Sequence, residues 1–337
     1  MKSCNRIPRR IASVVAIAAT MLAAAAPAAR AADDAAVRDY PSRPIDLLVG
    51  FTAGGPSDAA ARILAKRLTA VWPNVHVIVE NRPGADGAIA AAAMTKAAPD
   101  GYTLFLATRS HVNLKWLYSG LPFDVATDFQ PVAEVLTMPQ VLVVGPSIKD
   151  ADYAAFVQDV KAHPNGLTAF STGNGSDPHL ALALYEQKTG LKIRHVPYKG
   201  GANATVDMLA GRVDCSFATL GTVMEQIDKG QVRALAIGGT GRDPQLPNVP
   251  TFKELGVPDY SPAAWYGVVA PVGTPKGIVE KLNKAINEVM NQPEGAKALA
   301  TLGALPVKVS VAQFTQQYHD DLVANGKLIK SLHIPVN

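Results

Sequence analysis

The chain has 337 residues, 48% of them hydrophobic, 18% charged and 6% aromatic, which excludes a disordered or fibrous protein and is enough for two cored domains of about 100–200 residues. The formal net charge of +4 suggests a polyanionic partner only until the basic residues are located. Lys2, Arg6, Arg9, Arg10 and Arg30 precede residue 32, where there is no Asp or Glu; without those five, +4 becomes −1, so no nucleic-acid partner is expected.

The first element is a targeting segment. Residues 2–10 are basic, Ile11 to Ala26 is an uncharged apolar run of 16 residues, and Pro27 leads to Ala29-Arg30-Ala31, a small-x-small cleavage pattern. These are the three regions of a secretory signal spanning 1–31, which sets the expected mature start at Ala32. The run falls short of the ~20 residues that span a bilayer and no later stretch reaches that length, so a soluble periplasmic protein of a Gram-negative bacterium is expected. Cys4 leaves with the signal, and Cys215, alone in the mature chain, allows neither an internal disulfide nor a cysteine-based zinc site.

From residue 44 onward, β-rich apolar runs alternate with amphipathic stretches, the pattern of mostly parallel sheets flanked by helices. Strands are expected at Pro44–Val49, Val75–Val79, Thr103–Ala107, Val141–Gly145, Lys192–Val196, Asp214–Phe217, Val232–Ile237 and Tyr266–Ala270. Ala60, Leu64, Leu68 and Val71, and later Val311, Phe314, Tyr318 and Leu322, recur at helical spacing and predict helices with one buried stripe. Asp243 to Pro262, with Pro244, Pro247, Pro250 and Pro258, reads as a connection between domains. A second connection is expected near Leu136 to Gln140. Two crossings give a discontinuous domain I, 32–138 plus 262–337, and a domain II, 139–261.

Two segments share the plan of strand, Gly-rich loop, helix. They are Val49-Gly50-Phe51-Thr52-Ala53-Gly54-Gly55-Pro56-Ser57-Asp58 and Phe170-Ser171-Thr172-Gly173-Asn174-Gly175-Ser176-Asp177-Pro178-His179. Such loops turn backbone amides inward at the positive end of a helix dipole, so each can hold an oxyanion without a charged side chain, or simply be a capped β–α turn. Asp58 opposes the anion reading unless its carboxylate faces away. Ala107-Thr108-Arg109-Ser110-His111, at another strand end, offers Thr108, Ser110 and the Arg109 guanidinium to the same crevice.

In order along the chain stand Tyr40-Pro41-Ser42-Arg43-Pro44, Gly54-Gly55 with Asp58, Val79-Glu80-Asn81-Arg82-Pro83-Gly84-Ala85, and Ala97-Ala98-Pro99-Asp100-Gly101-Tyr102-Thr103-Leu104. Gly173-Asn174-Gly175-Ser176, Val196-Pro197-Tyr198-Lys199-Gly200 and Ala270-Pro271-Val272-Gly273-Thr274-Pro275 follow. These seven motifs, spanning nearly the whole mature chain, resemble the substrate receptors of tripartite tricarboxylate transporters, the Bug or TctC-like periplasmic solute-binding proteins. The resemblance implies an α/β, two-domain, type II-like periplasmic solute-binding fold with a ligand cleft between domains. It implies a hinge-closing receptor that delivers a small organic acid to membrane transporter subunits or, alternatively, reports it to a membrane sensor kinase. The ligand-binding residues it implies, with the strand-end group, are Phe51, Thr52, Ala53, Gly54, Gly55, Ser57, Thr108, Arg109, Ser110, Ser171, Thr172, Asn174, Ser176, Tyr198 and Ala218. No cofactor, metal or catalytic residue is expected.

Three positions depart from the family pattern. Ala218 stands where many members carry an Asp that pairs with an amino group, so amino acids are expected to bind weakly. Arg109 and Phe170 stand where small residues are usual; Arg109 is expected to make a bidentate carboxylate contact, and Phe170 either to stack on an aromatic acid or to fill a helix–sheet gap. The expected ligand is a dicarboxylate, aliphatic or aromatic, without an amine. An enzyme finds little support, since there is no Gly-x-Ser-x-Gly, Walker or His-Glu-x-x-His pattern, and Gly173-x-Gly175 meets Pro178 where a dinucleotide fingerprint needs a third glycine. Lys188-Thr189-Gly190 reads as a helix C-terminus, and Cys215 as a core residue.

Overall fold

The computed structural model describes residues 37–149, 152–198, 200–239 and 241–334. The expected signal, residues 1–31, and Lys199 lie outside the described residues. The first group of elements is β1 (Ile45–Val49), α1 (Pro56–Val71), β2 (Val77–Asn81), α2 (Ala88–Thr95), β3 (Thr103–Thr108), a 3-10 turn (Arg109–Asn113), α3 (Leu114–Leu117) and β4 (Phe129–Val144). Then come α4 (Tyr153–Ala162), β5 (Thr168–Ser171), α5 (Asp177–Thr189), β6 (Arg194–Pro197), α6 (Gly201–Leu209), β7 (Cys215–Thr219), α7 (Leu220–Asp228) and β8 (Arg233–Ile237). The last are β9 (Ala263–Pro271), α8 (Lys276–Asn291), α9 (Pro293–Ala300), β10 (Leu305–Pro306) and α10 (Val311–Ser331).

The strands are ordered β2-β1-β3-β9-β4-β7-β5-β6, with β8 and β10 also paired to β4. The α/β architecture agrees with the sequence, but the sheet is mixed rather than mostly parallel. β1 runs parallel to β2 and β3, and β5 to β6 and β7, where helices supply the crossovers; β4 and β9 are antiparallel to their neighbours. The connection expected near Leu136 to Gln140 is not a loop. Residues 129–139 of β4 pair with β9, and Gln140–Val144 of the same strand pair with β7, while Val141–Val144 also pair with β8. Pro131 and Pro139 suggest a break in sequence, yet Pro131 borders a bulge and Pro139 sits where β4 changes neighbours, positions where a missing N–H costs the ladder least.

Burial explains the helices. Ala60, Leu64 and Leu68 of α1 are sealed against the sheet while Val71, at its end, is 37% exposed. Phe314 and Tyr318 of α10 are fully buried on the sheet's other face, with Trp265 and Phe105. Gly267 in β9 makes that approach possible, since a Cβ there would lie 2.3 Å from Phe314 Cζ. Asp243 to Pro262 is irregular as expected, but it is also part of the core. Phe252 and Tyr260 from it pack with Tyr185 and Phe217, because β8 ends beside a cluster that its own short strand cannot cover.

Candidate functional site

The chain leaves β1 and enters α1 through the first Gly-rich loop, where Thr52, Ala53 and Gly54 are exposed and Phe51 and Gly55 half-buried. Asp58 accepts hydrogen bonds from the Gly54 amide at 2.9 Å and from Arg62 Nε at 2.9 Å. The Arg62 bond, ahead of the Gly54 amide, holds its carboxyl below the usual range despite burial. With that charge paired, the Gly55, Ser57 and Asp58 amides, which precede the first intrahelical bonds, keep this end of α1 electropositive. The Ser57 side chain is buried beside the Tyr266 phenol of β9. Burial pushes that phenol up to about 12, so Tyr266 is neutral.

Thr108 lies directly across from Tyr266 in the β3–β9 pair. Its buried hydroxyl is 2.8 Å from the Ser110 hydroxyl and 3.1 Å from His111 Nδ1, which accepts the Thr108 amide at 2.7 Å. Burial pushes His111 down to about 3. The ring is therefore a neutral prop for this strand end.

The second loop is tied down by its own side chains. Ser171 and Ser176 donate to the Gly173 carbonyl at 2.9 and 2.7 Å, and the Gly175 amide donates to His179 Nδ1 at 3.0 Å. His179 stacks on His195 with ring centroids 3.8 Å apart, and His195 Nε2 lies 2.6 Å from Ser171 Oγ. Burial, with His195 adding, pushes His179 down to about 4, and burial lowers His195 as well. Gly175 takes φ +73°, and a Cβ there would lie 2.6 Å from Leu117, so only glycine fits. Thr172 and Asn174 remain exposed. Thr172 also adjoins the start of α6, with Cγ2 3.7 Å from where Gly201 would carry a Cβ.

The structure places three expected site residues elsewhere. Arg109 donates to Asp321 Oδ1 at 3.1 Å and to Asn325 Oδ1 at 3.2 Å. It lines a groove of about 710 Å³ between α5 and α10, together with Thr137 and Trp265. Successive strand residues point to opposite faces, so that groove and Tyr266 lie on opposite faces of the β4–β9 ribbon. The guanidinium is thus committed to Asp321, which corrects the expected bidentate ligand contact. Phe170 and Ala218 are buried together with Val141 and Met208, so Phe170 fills the helix–sheet gap and is not presented for stacking. Tyr198 packs edge-on against Phe170 at 6.2 Å and donates its hydroxyl to Asp207 at 2.8 Å.

Three residues not singled out from the sequence complete the arrangement. Tyr266 stands beside the first loop and feels the charge of Asp177 at the start of α5. Asn113 donates to the Gly175 carbonyl at 3.1 Å, and Asn325 donates to Asn113 at 2.8 Å. A polar chain thus runs from Arg109 through Asn325 and Asn113 to the second loop, joining the two halves of the sheet. Nothing in the period of the sequence marks these residues, because pairing of distant strands decides their neighbours.

A model of the family described as the tripartite tricarboxylate transporter family receptor, TctC, matches residues 60–334. Protein BugT of Bordetella pertussis is 39% identical over 271 residues, 80% of this chain and 82% of its own. A solved structure of Rpa4515 from R. palustris with adipate has 33% identity and a TM-score of 0.77, covering 89% of this chain and 100% of that one. MatC from Rhodopseudomonas palustris with bound malate has 29% identity and a TM-score of 0.71, covering 86% and 100%.

Proposed function

Because the chain belongs to the tripartite tricarboxylate transporter receptor family and has the two-domain solute-binding fold of its solved relatives, we propose that it captures a small carboxylate between residues 32–138 plus 262–337 and residues 139–261. The observation that carries this reading is the pair of strand-to-helix loops, 51–57 and 171–176, one on each half of the sheet. Each offers exposed small residues and a helix N-terminus, and Asn113, donating to the Gly175 carbonyl, joins the halves behind them. With Phe170 in the core, aromatic acids lose their stacking partner. Adipate and malate, named for two relatives, make aliphatic dicarboxylates without an amine the first ligands to test.

The protein is exported through the segment 1–31, works in the periplasm and hands its ligand to a membrane transporter without altering it. Cys215, buried with its thiol pushed up by burial, is no nucleophile. Mass spectrometry of the acid released on denaturation identifies the ligand, and thermal shift confirms it. A ligand at 100 times its Kd adds about 2.7 kcal/mol. A shift with sugars or neutral solutes and none with C4–C6 dicarboxylates refutes the reading.

A further inference from the structure

Asp177 is at the first turn of α5, immediately after the loop proposed to seat a carboxylate. It is 9% exposed, and its Oδ1 has no hydrogen-bond partner among the described residues. The charged and titratable groups around it come from three elements. Arg109 of the 3-10 turn attracts it and Asp321 of α10 repels it, while the neutral Tyr266 phenol of β9 feels its charge. On its own helix, His179 turns its ring to Gly175 and His195. Arg109 gives its hydrogen bonds to Asp321, Asn325 and the Ala263 carbonyl, so it attracts Asp177 through charge without bonding it.

Burial, with Asp321 adding and Arg109 opposing, pushes Asp177 up to about 6. An anion settling on the exposed Thr172 and Asn174 of this loop therefore approaches a carboxylate that is poorly solvated and incompletely compensated. The electrostatically cheapest relief is a proton from bulk water. Protonation also converts an orphaned acceptor group into a donor beside the incoming anion.

We propose that Asp177 makes solute capture proton-linked, so that a carboxylate settling against the second loop is bound together with one proton taken up on Asp177. The proposal rests on the carboxylate reading of that loop. It makes Asp177 a specificity residue as well, because a ligand that brings its own ammonium would pair with ionised Asp177 and take up no proton.

The test is calorimetric titration of the wild-type protein and Asp177→Asn with adipate, in two buffers of unlike ionisation enthalpy, from pH 5.5 to 8. The wild type takes up about half to one proton per adipate near pH 7 and binds about tenfold more tightly at pH 5.5 than at pH 8. Asp177→Asn takes up none, shows a flat pH profile and binds more tightly than the wild type at pH 8. Adipate binding to the wild type without net proton uptake overturns the proposal and leaves the carboxylate reading standing, whatever the folding of the variant. Retention of the uptake by Asp177→Asn overturns it too, as does proton uptake on binding aspartate or glutamate equal to that with adipate. Failure of every C4–C6 dicarboxylate to bind either protein overturns both readings.

Discussion

Removing the Arg109 guanidinium leaves Asp321 with Trp265 Nε1, at 2.6 Å, as its remaining donor. Both side chains of the ion pair are 17% exposed, so the carboxylate would stand nearly unsolvated. Arg109→Met is expected to lower stability by about 3 kcal/mol in urea unfolding, and adding Asp321→Asn should recover part of it. If the single variant unfolds at the wild-type urea concentration, the ion pair contributes nothing to stability. Thr172 is the opposite case, exposed on the rim of the second loop. Thr172→Trp should leave the melting temperature nearly unchanged and weaken dicarboxylate binding by roughly a hundredfold, the scale of overpacking a close-fitting site. Wild-type affinity in that variant would move the site away from residues 171–176. That both Gly-rich segments join a strand to a helix was legible in the sequence, because glycines and small hydroxyl residues between an apolar run and an amphipathic stretch mark a β–α turn. The direction of Arg109 was not, since it depends on which face of β9 a helix two hundred residues later covers.

The helices α1 and α10 could be read from their stripes because a 3.6-residue period survives in sequence whatever the partner is. Ala60, Leu64 and Leu68 need only an apolar surface to bury against. β4 could not be read in full. The stretch that pairs with β9 carries Pro131 and Pro139, which ordinarily end strands, and its tolerance of them comes from a bulge and a change of neighbours that only the assembled sheet supplies. Likewise Phe252 and Tyr260 sit in a Pro-rich connection, and their place in the core follows from the gap beside β8. Packing of β9 against α10 gives a direct check. Gly267→Ala forces Phe314 to move and should cost about 2 kcal/mol by thermal or urea unfolding, with Gly267→Ala plus Phe314→Leu regaining much of it. No recovery in the double variant would mean that the neighbouring Ala133 carbonyl, 3.0 Å from that Cβ position, sets the cost.

Across the whole molecule, two buried acids set an unusual pH response. Burial pushes Glu134 of β4 from 4.5 up to about 7, with the amide of Gln317 opposing and the charge of Asp321 adding. Asp177 moves from 3.8 to about 6. Each binds its proton more tightly in the native state than in the unfolded chain. Their contribution therefore favours folding below pH 4, declines as pH rises and is gone above about pH 7. Glu134→Gln should match the wild type near pH 4 and exceed it by about 3 kcal/mol at pH 8; a gap of the same size at both ends would assign the effect to packing instead. Sheet order carries a further consequence, for the timing of synthesis. β9 lies between β3 and β4, so a chain growing from its N-terminus holds an unfilled slot, with two bare strand edges, until residue 271 has been made. The half that holds β1, β2 and β3 is not closed before then, whereas the half built on Gln140–Val144 of β4 has all its strands once residue 237 is made, so the later-encoded half can complete its sheet before the earlier one.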